Sequence, residues 1–154
     1  ITLLAPVLKK NQLEFMLQKS VEIGVKKIYL YISEKSKHSF KLEKEEKKIK
    51  RYDDIITSAF LQSENFYKPN LNIVRSLEDF NFDIFKHIIV LDQFSDNPLD
   101  KKVSCDLIVS GGEYGFDDRE MKIISKNRAC SFNLGENILR AETAPLVALS
   151  RLNI

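Results

Sequence analysis

The feature that most constrains this chain is a pattern that occurs twice near its C-terminal end. Between Leu107 and Leu149, two apolar runs typical of strands each lead into a glycine-containing loop, and each loop leads into a segment with helical spacing. In α/β proteins, loops at the carboxyl ends of parallel strands face a shared crevice and bind ligands there. The pattern therefore predicts an α/β fold, with a mostly parallel sheet flanked by helices and a ligand site at these two loops.

The upstream sequence shows the same alternation. Four apolar runs predict strands, at residues 1–8, 27–32, 71–74 and 87–92. Apolar residues at helical spacing predict a helix that Asn11 caps and Gly24 ends, and a longer helix from about Lys44 to Ser63. With 154 residues, the chain is long enough to form one domain with its own core.

The C-terminal third adds two strands, at residues 106–110 and 129–134, and two helices. Asp117 and Glu120 have the spacing of a capping box, so one helix is predicted to start there. The last helix is predicted from about Thr143, with Pro145 tolerated in its first turn.

Composition argues against several kinds of site. The chain has two cysteines, Cys105 and Cys130, and two histidines, so neither a disulfide scaffold nor a metal site is expected. Both cysteines adjoin apolar strands and are predicted to be small core residues. No run of about 18 apolar residues is present, so we expect no transmembrane helix. The chain begins at Ile1 rather than Met, and we expect an upstream segment to be missing.

Positive charge is concentrated in one segment of the chain. The net charge is only +2, yet residues 35–51 contain eight Lys or Arg against three Glu. Such a cluster can attract a polyanion. It is equally typical of a solvated helix face with Glu–Lys pairs, and charge alone favours that simpler interpretation.

The first C-terminal loop places Gly111, Gly112 and Gly115 around Glu113. Glycines allow close approach of a ligand and leave backbone N–H groups free. The loop has neither the Gly-Lys-Ser/Thr ending of a phosphate-binding loop nor the dinucleotide fingerprint. By itself it is also compatible with a plain tight turn.

The second loop carries more chemistry. Gly135, Ile138 and Leu139 offer backbone groups and apolar surface that suit a flat heterocycle, and Arg140 and Glu142 follow at a helix N-terminus. The Arg and the Glu could orient and deprotonate a substrate. They could equally form a structural ion pair, which their spacing alone favours.

These motifs together resemble one family. The most specific is Leu134-Gly135-x-x-Ile138-Leu139-Arg140-x-Glu142-Thr143-Ala144, supported by Gln18-Lys19, Glu22-x-Gly24-Val25, residues 33–36, Ala59 and Gln62-Ser63. The chain resembles, over nearly its whole length, the RsmE family of uridine-N3 methyltransferases of bacterial 16S ribosomal RNA, in the SPOUT superfamily.

The resemblance implies a SPOUT-type fold with a C-terminal trefoil knot and a cytoplasmic homodimer with the site at its interface. It also implies S-adenosylmethionine as cofactor and 16S ribosomal RNA or the small ribosomal subunit as partner, with no membrane and no metal. The cofactor-binding residues carried over are Leu91, Gly111, Gly112, Glu113, Gly115, Leu134, Gly135, Ile138 and Leu139. Arg140 and Glu142 are the expected catalytic residues. The expected RNA-binding residues are Lys35, Lys47, Lys48, Lys50 and Arg51.

The chemistry expected of such an enzyme assigns roles to these side chains. The uridine N3–H is a weak acid, so a carboxylate within hydrogen-bond reach is expected to take its proton. Glu142 is the first candidate and Glu113 the second. Arg140 is expected to stabilise the negative charge that develops on the base carbonyls.

The sequence also departs from the family pattern. Gly112 replaces a proline and Tyr114 a glycine, which predicts a looser and more crowded first loop, while Asn65 and Lys35 stand where arginine is usual. The family carries an N-terminal PUA-like RNA-binding domain, so residues 1–154 are expected to be the catalytic domain without it. Two alternatives stay open: a non-catalytic knot domain that binds RNA or a nucleotide, and an isolated dimerisation domain.

Overall fold

The computed structural model describes residues 1–153. Within this range the six strands are β1 (Thr2–Pro6), β2 (Lys27–Tyr31), β3 (Asn70–Val74), β4 (Ile88–Leu91), β5 (Leu107–Val109) and β6 (Cys130–Phe132). The five α-helices are α1 (Lys10–Ile23), α2 (Leu42–Glu46), α3 (Ile49–Gln62), α4 (Asp118–Lys126) and α5 (Ala144–Asn153). None of these helices is long and apolar enough to cross a membrane.

The strands form one sheet in the order β3-β2-β1-β5-β4-β6, and every pair is parallel. The prediction of a parallel α/β sheet is thus confirmed. Because all strands run the same way, their carboxyl ends lie at one edge of the sheet. The loops after β4, β5 and β6 therefore come from neighbouring strands.

Helices cover both faces of the sheet. Successive side chains of β1 point to opposite faces, and Leu3 and Leu4 accordingly belong to two separate buried clusters. On the face of Leu3, α1 packs against α3 and α5. On the face of Leu4, the core includes Ile124 of α4 together with Phe80 and Phe82, which lie between β3 and β4.

Several local signals in the sequence are confirmed. Gly24 ends α1 with φ +99°, and Asp117 and Glu120 form a complete capping box at the start of α4. The predicted cap at Asn11 is wrong, because α1 begins at Lys10 and Asn11 lies inside its first turn.

The single long helix predicted from about Lys44 is also wrong, because the structure divides it into α2 and α3. Glu45 is 2% exposed, accepts a hydrogen bond from the Tyr52 hydroxyl at 2.6 Å and pairs with Lys48 at 3.1 Å. The interruption at Lys47 and Lys48 lies between Glu45 and Tyr52, so the buried carboxylate joins α2 to α3.

Cys130 contradicts the prediction that both cysteines lie in the core. It is exposed, because β6 is the last strand at its edge of the sheet, while Cys105 is half-buried. Burial raises the pKa of the Cys105 thiol to about 12.

Candidate functional site

The candidate site lies at the carboxyl ends of three adjacent strands, β5, β4 and β6. We call residues 111–116, after β5, the first loop, and residues 135–140, after β6, the second loop. Residues 92–100, after β4, form the middle loop between them. Neighbouring strands are about 4.8 Å apart, so the two glycine loops leave the sheet about 10 Å from each other. The sheet thus brings together the segments that the sequence assigned to one site.

The first loop is closed by its own backbone. Gly115 has φ +70°, and its N–H donates to the carbonyl of Gly112 at 3.0 Å. A Cβ at Gly111 would lie 3.2 Å from the Phe116 ring, so this position is tight. Tyr114 is 64% exposed, so its ring does not fill the loop. The expectation that this loop is looser and more crowded than the family's stays a prediction.

The base of the first loop is fixed to a distant strand. The buried hydroxyl of Tyr31, at the end of β2, donates to the carbonyl of Ser110 at 2.9 Å. Burial raises the pKa of Tyr31 well above its usual range, so the group stays a neutral donor. The direction in which the chain leaves β5 is set by this contact.

The middle loop is bonded to the chain that enters the second loop. Asn133 donates from its side chain to the Ser95 carbonyl at 2.8 Å, and the Ser95 hydroxyl donates to the Ser131 carbonyl at 2.8 Å. The backbone N–H of Asn133 donates to Asn97 at 2.8 Å, and its carbonyl accepts from Leu99 at 2.9 Å. These hydrogen bonds hold the middle loop against the chain that enters the second loop.

The second loop has open, apolar surface. Gly135 has φ +128°, and a Cβ there would meet nothing within 4 Å. Ile138 is 78% exposed, while Leu134 and Leu139 are half-buried. Leu91, at the end of β4, is 9% exposed. The Gly135 N–H donates to the Asn133 side chain at 3.1 Å. The exposed apolar surface fits the adenosine part of a cofactor such as S-adenosylmethionine.

Two cavities lie elsewhere. One of about 410 Å³ includes Glu34, Phe40 and Arg75 in its lining. Another of about 500 Å³ lies near Ile1 and Cys105. Neither of these two cavities is lined by a residue of the glycine loops, which are exposed at the edge of the sheet.

Arg140 and Glu142 lie between the second loop and α5. The Arg140 side chain is exposed, and its carbonyl accepts the N–H groups of Thr143 and Ala144 at 2.9 and 3.0 Å, which starts α5. Glu142 is 8% exposed. Across residues 1–153, neither side chain forms an ion pair or a hydrogen bond. The structural ion pair that the sequence left open is not formed, and both groups remain available to a ligand.

The basic residues that are expected to bind RNA are exposed, but most of them form ion pairs with carboxylates of the same chain. Lys48 pairs with Glu45, Lys50 with Asp54 at 3.2 Å, and Arg51 with Glu14 at 2.5 Å. Lys47 is exposed and has no ion pair among the residues that the structure describes.

Lys35 lies apart from the other basic residues and donates to the Tyr114 carbonyl of the first loop at 2.8 Å. Asn65, which replaces an arginine, is used structurally, since its amide donates to the Val21 carbonyl at 2.7 Å. No group of three or more His, Cys, Asp or Glu that could hold a metal occurs between residues 1 and 153.

Comparison with known proteins assigns the chain to a family. The family model described as an RNA methyltransferase domain matches residues 1–153. The chain belongs to this family. Its motif-based resemblance to RsmE enzymes is also confirmed by the relatives described next.

This methyltransferase domain is 33% identical to the ribosomal RNA small subunit methyltransferase E of Mesomycoplasma hyopneumoniae, over 98% of this chain and 68% of that protein. The Bacillus subtilis protein of the same name is 29% identical, over 94% of this chain and 62% of its own length. The chain spans about two thirds or less of these relatives.

Two solved structures are similar to it. A methyltransferase from Legionella pneumophila in complex with S-adenosylmethionine has a TM-score of 0.84 and 31% identity, covering 98% of this chain and 64% of that one. The ribosomal RNA small subunit methyltransferase E from Neisseria gonorrhoeae, bound to S-adenosylmethionine, has a TM-score of 0.82 and 28% identity, covering 96% and 62%.

Two residues that shape the site were missed by the sequence analysis. Arg151 of α5 bonds to the backbone beside the second loop, and Glu120 bonds to the turn after β2. Glu120 carried a sequence signal for helix capping only. Nothing in the pattern around Arg151 distinguishes it from a solvent-facing arginine at the end of a helix.

Proposed function

We propose that this methyltransferase domain transfers a methyl group from S-adenosylmethionine to N3 of a uridine in 16S ribosomal RNA. The observation that carries the proposal is the placement of Arg140 and Glu142, without mutual or other protein partners among residues 1–153, directly after the glycine loop of β6. The proposal is supported by 33% identity to a ribosomal RNA small subunit methyltransferase E over 98% of the chain.

The cofactor-binding role falls to residues at the three strand ends. Leu91 and Ile138 provide apolar contacts, and the backbone of the first and second loops provides donors and acceptors. Gly135 allows the backbone conformation of the second loop, because residues with a side chain rarely adopt its φ of +128°. When bound, S-adenosylmethionine supplies an electrophilic methyl group.

The substrate-side roles fall to Arg140 and Glu142. The Glu142 carboxylate takes the N3 proton of the uridine, with Glu113 as the second candidate for this step. The Arg140 guanidinium donates to the base carbonyls, on which negative charge develops as the proton leaves. The loops would hold the nitrogen in line with the methyl group, whose transfer would leave S-adenosylhomocysteine, and this positioning is expected to supply much of the rate enhancement.

The proposal extends to partners and assembly. We propose that ribosomal RNA phosphates contact five basic residues, Lys35, Lys47, Lys48, Lys50 and Arg51, and that the protein acts in the cytoplasm. We propose a homodimer with the site at its interface, residues 1–154 as one SPOUT methyltransferase domain, and a C-terminal trefoil knot. Sedimentation of the purified protein tests the dimer.

A calorimetric titration with S-adenosylmethionine tests the proposal, followed by methyl transfer to 16S ribosomal RNA or small subunits. The expected result is saturable binding near one per subunit and methylation at uridine N3, with binding lost in Gly135→Val. Cofactor binding without transfer to any ribosomal RNA would favour the non-catalytic alternative. No binding by the folded protein would contradict the cofactor assignment.

A further inference from the structure

The carboxylate of Glu120 is shared by two segments that are far apart in the chain. Its Oε2 accepts the Asp117 N–H at 3.0 Å, which belongs to the capping box of α4. Its Oε1 accepts the N–H of Glu34 at 2.9 Å, a residue 86 positions earlier. The second contact is not needed to cap the helix. It fixes the turn of residues 33–36, which follows β2, to the start of α4.

Glu120 is buried, so its carboxylate loses solvation free energy in the folded protein. The residue is 2% exposed, and a buried carboxylate is unfavourable unless it is hydrogen-bonded. Burial raises the pKa of Glu120, and the N–H groups of Glu34 and Asp117 offset part of that rise by stabilising the charged form. Both oxygens therefore depend on the two backbone donors.

The turn of residues 33–36 forms a wall of the first loop. Ser33 is 2% exposed, and its side chain lies 3.7 Å from where a Cβ on Gly112 would be. From the same turn, Lys35 donates to the Tyr114 carbonyl at 2.8 Å. A shift of this turn would therefore remove packing and a hydrogen bond from the first loop.

We propose that Glu120 is a positioning residue for the first loop, which it holds in its ligand-binding shape by clamping the turn of residues 33–36 against it. Glu120 itself does not touch the ligand. The inference rests on the proposed function, because it assigns the first loop to the cofactor.

The test uses the full chain and two independent ways of breaking the clamp. Glu120→Gln removes the acceptor that serves one of the two N–H groups. Glu34→Pro removes the donor instead, and its Cδ displaces the Glu120 carboxylate from the turn. The backbone conformation allows proline here, because Glu34 is the first residue of a short 3-10 helix and Ser33 before it is extended, with φ −65° and ψ 140°.

Three control variants separate the clamp from charge and stability. Glu34→Ala keeps the N–H while removing the same half-buried side chain and its ion pair with Lys37. Asp118→Asn removes a negative charge from the same first turn of α4. Ile124→Val destabilises the same helix at a residue that is 1% exposed, without touching the turn.

Two quantities are measured, the Kd for S-adenosylhomocysteine by calorimetry and the exchange rates of the residue 34 and residue 117 amides by hydrogen–deuterium exchange. We expect Glu120→Gln and Glu34→Pro to raise Kd about tenfold, the size of one lost hydrogen bond to a charged group. We expect faster exchange of at least one of the two amides in Glu120→Gln. The three controls should stay within about twofold of the wild type.

Three outcomes would overturn the inference. The first is an unchanged Kd in Glu34→Pro. The second is unchanged exchange at both residue 34 and residue 117 in Glu120→Gln, since the single oxygen of Gln can serve only one of the two amides. The third is an equal loss of affinity in Ile124→Val. Failure of the proposed function is recognised separately, because the wild type would then bind no cofactor at all.

Discussion

The guanidinium of Arg151 donates a hydrogen bond to the carbonyl oxygen of Leu134 at 2.8 Å. The same side chain reaches the carbonyl of Leu99 in the middle loop at 3.4 Å. One residue near the end of α5 therefore binds both the middle loop and the residue that leads into the second loop. This contact joins the last helix to the loop that the last strand leads into.

Replacing Arg151 by Met should weaken cofactor binding about tenfold and lower the free energy of unfolding by about 1–2 kcal/mol, because two carbonyls lose a charged donor while the apolar stem is kept. Calorimetry and urea unfolding measure the two effects. Lys122→Met, at an exposed position of α4, is the matched control for charge. Wild-type affinity in Arg151→Met would mean that the second loop holds its shape without this contact.

Replacing Arg140 by Ala should reduce methyl transfer about 100-fold while changing the cofactor Kd less than about twofold, because the guanidinium is exposed and the proposed mechanism directs it to the substrate. Arg140→Lys should recover only part of the rate, since lysine lacks the planar fork. Single-turnover transfer and calorimetry separate the two quantities. An equal fall in cofactor affinity would reassign Arg140 to cofactor binding or structure.

Comparison of Glu142→Gln with Glu113→Gln identifies the base. Glu142 is 8% exposed beside the second loop, whereas Glu113 is exposed in the first loop. We expect a loss of about 100-fold or more in transfer for Glu142→Gln and a smaller loss for Glu113→Gln. Rates are compared at saturating cofactor, so that any change in binding is removed. The opposite ranking would make Glu113 the group that takes the proton.

Combined replacement of Lys47, Lys48 and Lys50 by Ala should flatten the dependence of RNA affinity on salt. Each phosphate contact to a single strand contributes about 0.7 to the slope of log K against log salt, so the slope should fall by about 2. Binding of a 16S ribosomal RNA fragment at several salt concentrations measures it. Lys101, Lys122 and Lys126, also exposed, serve as the control triple variant. Equal slopes in both triple variants would mean that the basic cluster is a solvated helix face that does not contact RNA.

The two cysteines should differ in reactivity with iodoacetamide at pH 8. Cys130 is exposed and should be alkylated, whereas burial raises the pKa of Cys105 to about 12 and keeps its thiol protonated. The Cys105 reaction should therefore appear only well above pH 10 or after unfolding. Peptide mass spectrometry distinguishes the two sites. Rapid modification of Cys105 in the folded protein would contradict the half-buried position.

Local patterns in the sequence were enough to predict the parallel sheet and the start of α4. Strand runs are short and continuously apolar, and the cap of α4 depends on Asp117 and Glu120, which are three residues apart. Such features are determined by neighbours along the chain, so they can be read from the sequence.

Features that depend on distant partners could not be predicted in this way. The buried contact between Glu45 and the Tyr52 hydroxyl joins α2 to α3, and Cys130 is exposed because its strand lies at the edge of the sheet. The roles of Glu120 and Arg151 follow from backbone groups that only the fold brings near. The sequence located the candidate site, but not the contacts that hold it in place.

The pairing of β1 with both β2 and β5 has a consequence for the time at which the site forms. Thr2 lies beside Lys27 on one side and beside Leu107 on the other. On a ribosome, β1, β2 and β3 leave the exit tunnel well before β5 and can join first, whereas the inner edge of β1 stays unpaired until β5 is made. The strand ends that carry the two glycine loops are therefore the last of the sheet to be assembled, and a nascent chain has no complete candidate site until β6 and the second loop have been made.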